Sequence, residues 1–459
     1  DGIFQGIWMG GFDGNHPLLG VHDPIWARAL VLRTGDVTVA IVSLDLVGLF
    51  YDRVKEIRAK VAVLAKAAGI DYLLVSSTHN HEGPDTMGQW GVNKNDIPTG
   101  SGVDKALMAH IIDQSAKVVA TAAAGMKKAT LKVGQVKTPR EGYVRDSRDP
   151  QIFDLDLTVV SLAEASGGTP ISTLVHWGNH PEVLSDNNNF LSSDFSHYLR
   201  EALEKGLPAR GTHKALPALG GTAIYLQGAV GCLMTPLGIT ITDRAGVGQS
   251  RSDWAKARAL GENLAMQAHA ALAKADTPKS PALSVAAKEL LLPAENTQLM
   301  MILKLKIFER EVTGYNPNLP VDKNNRPHVR TELSLIRLGP ATFFSLPGEA
   351  DPETMVGGYD GKLSYGASLV DKNNKNPPDL TKAPKGPFLK EKVPGTYKMM
   401  VGLGNDELGY LVPPWNFQLG TPPYMSEAPG DHYTEVNSLG PGTVTALLSA
   451  YEGLLKKHK

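Results

Sequence analysis

One cysteine, Cys232, stands among 459 residues. No disulfide can therefore form within the chain, and the redox compartment is left open. Lys and Arg number 46 against 47 Asp and Glu, a net charge of -1. That balance leaves no electrostatic footprint for nucleic acid. No unbroken apolar run is long enough to cross a bilayer as a helix. The His-Glu-x-x-His pattern of helix-borne zinc proteases is missing, and so are the Gly-x-Ser-x-Gly nucleophile elbow and the P-loop. Gly246-Val247-Gly248 lacks the third glycine of a dinucleotide fingerprint. No repeat of fixed period is present. Residue 1 is Asp and no charged-then-apolar leader follows, which reads as an exported mature chain, secreted or periplasmic. The apolar flanks of Cys232 read as inert core rather than as the setting of a nucleophile.

What is present is ordinary globular material, 42% hydrophobic and 20% charged. Apolar runs predict strands at 27–32, 37–46, 131–136, 155–162, 171–175, 222–227, 283–292, 331–338 and 342–346. Helical spacing predicts helices at 51–68, 104–124, 194–205, 255–274 and 443–455. Helices and strands alternate, and the strands thicken after residue 280. This predicts one α/β domain over 1–459 with a mixed-sheet system, not a strict parallel barrel. Segment 370–397, rich in Lys, Pro and Asn, reads as a loop, lid or insertion. Oligomeric state cannot be read from these patterns.

Three stretches carry chemistry. Tyr72 to Val75 is a buried strand running into Ser76-Ser77-Thr78-His79-Asn80-His81-Glu82-Gly83-Pro84. Two imidazoles at i and i+2 point the same way if strand geometry persists, and neutral imidazole suits zinc. The second stretch is Leu174 to Glu182, where His176 and His180 again follow an apolar strand. Gly178 and Pro181 oppose a helix there, so one histidine reads as a ligand and the other as a neighbour. In the third, Phe343 to Glu349, a carboxylate follows an apolar strand and a Pro-Gly turn. Glu349 would complete a His/His/carboxylate set that leaves zinc an open position. Asp45, inside a strand, is either a satisfied core acid or a partner of the site.

Together these stretches resemble the neutral/alkaline non-lysosomal ceramidase family. The residues carrying the likeness are His22 to Leu30, Thr78 to Pro84, His180-Pro181 with Ser192-Ser193-Asp194, Gln227 to Gly231, Thr331 to Gly339 and Pro347-Gly348-Glu349. The resemblance implies a zinc amidase cleaving an N-acyl bond by metal-activated water. It implies His79, His180 and Glu349 as zinc ligands with Tyr410 as a fourth, and His81 as a proton-transfer residue. Arg145 would hold substrate and Tyr433 would be a second active-site tyrosine. It also implies a catalytic domain without the family's C-terminal immunoglobulin-like domain. Two glutamates depart from the family pattern: Glu82 after His81, and Glu182 after His180-Pro181. They favour a smaller or more polar substrate than ceramide as one alternative. A non-catalytic binding protein on the same scaffold is another. The expected partner is a small-molecule or lipid N-acyl substrate.

Overall fold

The computed structural model describes residues 5–94, 97–420 and 432–457. Its first sheet joins β1 (Ala27–Thr34), β2 (Val37–Leu44) and β3 (Tyr72–Ser77), with β1–β2 antiparallel and β2–β3 parallel. Alternation along β2 explains its placement. Val39 and Ile41 enter a core shared with other sheets, while Ala40, Val42 and Leu44 face helices α1 (Tyr51–Leu64) and α2 (Lys105–Ala124). A strand buried on both faces has no polar side to show. The second sheet has the order β7-β6-β5-β4, from β4 (Ala129–Lys137), β5 (Asp156–Glu164), β6 (Pro170–Trp177) and β7 (Thr222–Gln227). Only β6–β7 is parallel. Helices α3 (Phe195–Lys205) and α4 (Trp254–Leu272) cover its outer face over Val175, Trp177 and Tyr225. The third sheet runs β8-β9-β10-β12, where β8 is Leu283–Pro293, β9 His328–Leu338, β10 Ala341–Ser345 and β12 Tyr397–Val401. The short strand β11 (Glu349–Ala350) pairs in parallel with β13 (Tyr410–Leu411). Outside that sheet lie α5 (Thr297–Lys304) and α6 (Gly442–Lys457).

All three sheets turn one face to a common core that includes Ile41, Leu74, Leu174, Ile224, Ile336 and Phe343. Helices lie outside. This is the mixed α/β architecture that the sequence predicts. The ends of β3, β6, β7, β10 and β12 meet at one rim, where open α/β sheets carry their ligands. One strand here lies outside those that the sequence predicts. Residues 397–401 form β12 within the third sheet, because Met399 and Val401 fill the shared core. The preceding segment is pinned down: Lys390 Nζ contacts Asp154 at 2.7 Å and Asp156 at 2.8 Å, and Asp371 N donates to Asp149 at 3.0 Å.

Candidate metal centre

β3 ends at Ser77, and the chain then breaks strand geometry, with His79 at a positive φ of 62°. His79 Nδ1 donates to the carbonyl of Val47 at 2.6 Å, so its Nε2 is aimed away from that loop. His180 follows β6 and does the same with the Met234 carbonyl at 2.7 Å. The two loops are tied together. Gln227 Nε2 donates to the carbonyls of Thr78 at 2.6 Å and Asn179 at 2.8 Å, and His81 N donates to the Pro181 carbonyl at 3.0 Å.

Glu349 enters from β11. Its Oε2 lies 3.3 Å from His79 Nε2 and 3.2 Å from His180 Nε2. Burial would raise the Glu349 carboxyl, but the His79 and His180 imidazoles outweigh it and hold it below the usual range. The β11–β13 register sets Tyr410 opposite Glu349, so that its phenol sits beside that carboxylate. Burial, then the Glu349 charge, pushes that phenol up. Tyr433 packs edge-on to Tyr410 with ring centres 5.7 Å apart. His81 joins the imidazoles, 4.8 Å from the His79 ring and 5.3 Å from the His180 ring. Its Nδ1 faces Glu182 Oε2 at 3.5 Å, and Thr235 donates to the other Glu182 oxygen. Burial, and the neighbouring His79 and His180, hold the His81 imidazole well below its ordinary value.

The donor set fits a metal ion. One coordinating nitrogen from each of His79, His81 and His180 lies within 4.8 Å of the others. His79 Nε2 and both ring nitrogens of His81 are buried without a hydrogen-bond partner. Buried imidazole nitrogens left this way are costly unless a cation accepts their lone pairs. The outer nitrogens of His79 and His180 already rest on carbonyls, which fixes the tautomer a ligand needs.

The structure thus brings His79, His81, Glu349, Tyr410 and Tyr433 to one wall of a cavity of about 380 Å³, with His180 against Glu349 just outside the lining. The rest of that cavity is mixed: Phe50, Trp90, Ile302, Phe308 and Val329 form apolar wall, and Asp13, Gln89, Gln298 and Arg310 are polar or charged. Arg145 does not reach it. Its backbone bridges Thr235 between the buried Val144 and Asp146, and that alternation turns the side chain outward against Gly238. Arg148 turns inward instead and makes a two-pronged pair with Glu435 at 2.8 and 2.9 Å. His176 remains in β6, with Nε2 on the Met400 carbonyl at 2.6 Å; burial, partly offset by that bond, lowers it to about 4. Asp45 is a satisfied core acid, bridged by Arg200 at 2.9 and 2.8 Å. No described residue of 370–397 lines the cavity. Glu407 does line it, and sequence reasoning missed it. The acidic pair Asp406-Glu407, just past an apolar strand, was the available signal.

Fold and site together define a class: a mixed α/β scaffold presenting a buried cluster of imidazoles, suited to a metal ion, at the strand ends. Solved structures narrow the fold. The chain is similar to one described as "Ceramidase complexed with C2", at 14% identity and a TM-score of 0.66, over 96% of this chain and 71% of that one. It is also similar to neutral ceramidase from Pseudomonas aeruginosa, at 14% identity and a TM-score of 0.65, over 97% and 70%. At this identity the likeness establishes a neutral-ceramidase-like fold. No family model and no curated protein sequence matches the chain.

Proposed function

We propose that this chain is a zinc-dependent hydrolase that cleaves an N-acyl bond. One observation carries the reading most: His79 Nε2 and His180 Nε2 converge on the same oxygen of Glu349, 3.3 and 3.2 Å away, and that glutamate lines a cavity of about 380 Å³. His79, His180 and Glu349 would hold zinc, with Tyr410 beside them. Zinc bound there would supply an acidified water and polarise a carbonyl. The chain's own groups do the rest. The apolar wall binds the hydrocarbon part of the substrate and excludes water from it. The Tyr410 and Tyr433 hydroxyls donate to the oxygen that gains charge as the amide carbon becomes tetrahedral. His81, whose Nδ1 faces Glu182 at 3.5 Å, takes up at Nε2 the proton released as water adds to the carbonyl and passes it to the leaving nitrogen.

Chelation should abolish amidase activity, zinc should restore it, and His79→Ala should lose the metal. Full turnover and full zinc content in that variant would overturn the assignment. A panel of N-acylsphingosine, short N-acyl amino acids and simple esters sorts the substrate. The wall formed by Phe50, Trp90, Ile302, Phe308 and Val329 favours an amide with a hydrocarbon chain. The buried Glu407 carboxyl inside the cavity, with Oε2 unpartnered, favours the alternative of a more polar or cationic substrate. A folded, metal-free protein inactive on the whole panel would leave a binding function on this scaffold.

A further inference from the structure

Behind Glu349 lies a second group of ligand atoms that the proposed reaction does not use. Cys232, Asp351 and Glu353 are fully buried, and one donor atom of each lies within 4.8 Å of the others. Cys232 N donates to Asp351 Oδ1 at 2.9 Å, and its thiol to Glu353 Oε2 at 3.4 Å. Those bonds leave Asp351 Oδ2 and Glu353 Oε1 without partners in the interior. Asn416, only 1% exposed, donates from Nδ2 to the Asp149 carbonyl at 3.2 Å, and its own Oδ1 is also unpartnered.

The charges do not balance. Asp146, Asp351, Glu353 and Glu435 are all buried here, and among the described residues Arg148 is the cation facing them. Arg148 is already committed to Glu435 through both terminal nitrogens. Unpaired buried carboxylates are too costly to persist as anions; they either keep protons or bind a cation. Oxygens without partners match the second outcome.

We infer that Cys232, Asp351 and Glu353 form a second, structural site for a zinc-class divalent cation. One sulfur with oxygen donors suits zinc and disfavours calcium or magnesium, which take oxygen alone. On binding, the thiol proton and any carboxyl proton pass to solvent as sulfur and oxygen bonds to the cation form. The cation clamps the 231–233 turn to the segment 349–353. Glu349 leads that segment, so this site would hold the proposed catalytic ligand in place.

The test is metal content together with cobalt spectroscopy, on protein produced in zinc-supplemented or cobalt-supplemented medium so that the ion is present as the chain folds. About two equivalents per chain are expected in the wild type, and about one in Cys232→Ser. The double variant His79→Ala/His180→Ala should keep one. Cobalt protein should show a near-ultraviolet thiolate-to-cobalt band in the wild type and the double histidine variant, and none in Cys232→Ser. Should Cys232→Ser fail to fold, Asp351→Asn takes its place, with loss of one equivalent expected. A folded wild-type protein without the thiolate band overturns the second site. The band with only one equivalent supports this site and instead counts against the histidine centre.

Discussion

Glu182 has one oxygen on Thr235 and the other facing His81, so its carboxylate sets which ring nitrogen of His81 is turned to the cavity. Removing an orienting partner of this kind costs about 10- to 100-fold in activity. Glu182→Gln should therefore lower kcat by that factor while zinc content, read by elemental analysis, stays unchanged. Loss of metal instead would make Glu182 part of the ion's cage. Asp45 and Arg200 behave differently because both are buried, at 1% and 2% exposure. Arg200→Met leaves a carboxylate unpaired inside the protein and should cost about 3–5 kcal/mol of stability, measurable by urea unfolding. At this scale the sequence shows residue types but not directions. His79, His180 and Glu349 are legible because each ends an apolar strand. Arg145 and Arg148 are three residues apart in one loop, and only the bridge to Thr235 decides which of them faces out.

Elements meet closely where β7 and β12 end. A Cβ on Gly402 would lie 2.2 Å from the Gly228 carbonyl oxygen, a backbone atom that cannot step aside. Gly402→Ala should destabilise the protein by about 1–3 kcal/mol or more. It should also weaken metal binding, since Gly228 follows Gln227, which ties the two histidine loops; an unchanged urea midpoint would contradict this. Most strands and the long helices are legible from period-2 and helical patterns, as β2 illustrates with its split between two cores. Four elements are not, the two-residue strands β11 and β13 among them. β12 is five residues, Tyr-Lys-Met-Met-Val, hidden behind a Lys- and Pro-rich segment. α5 is eight residues, too short for its periodicity to stand out, yet it supplies Leu299, Ile302 and Leu303 to the cavity.

Across the whole molecule, buried acids make stability depend on pH. Burial, only partly offset by the Phe195 and Leu184 amides, raises Asp194 to about 7. Glu182, Asp23 and Glu82 face it with like charge, and Lys256 with opposite charge. The folded state holds this proton more tightly than the unfolded chain. Its contribution is therefore complete below pH 4 and is lost as pH rises towards 7, at about 1.4 kcal/mol per unit. His176, held low, acts in the opposite direction and loses its contribution as pH falls, so the informative quantity is a difference. Asp194→Asn, neutral throughout, should gain stability relative to wild type between pH 5 and pH 8; a constant difference would show that Asp194 is already ionised in the fold. The most direct test of the central claim is anomalous scattering at the zinc edge from crystals grown with zinc. The expected result is a peak about 2 Å from His79 Nε2, His180 Nε2 and a Glu349 oxygen. Ordered side chains at those three residues with no peak between them would contradict it.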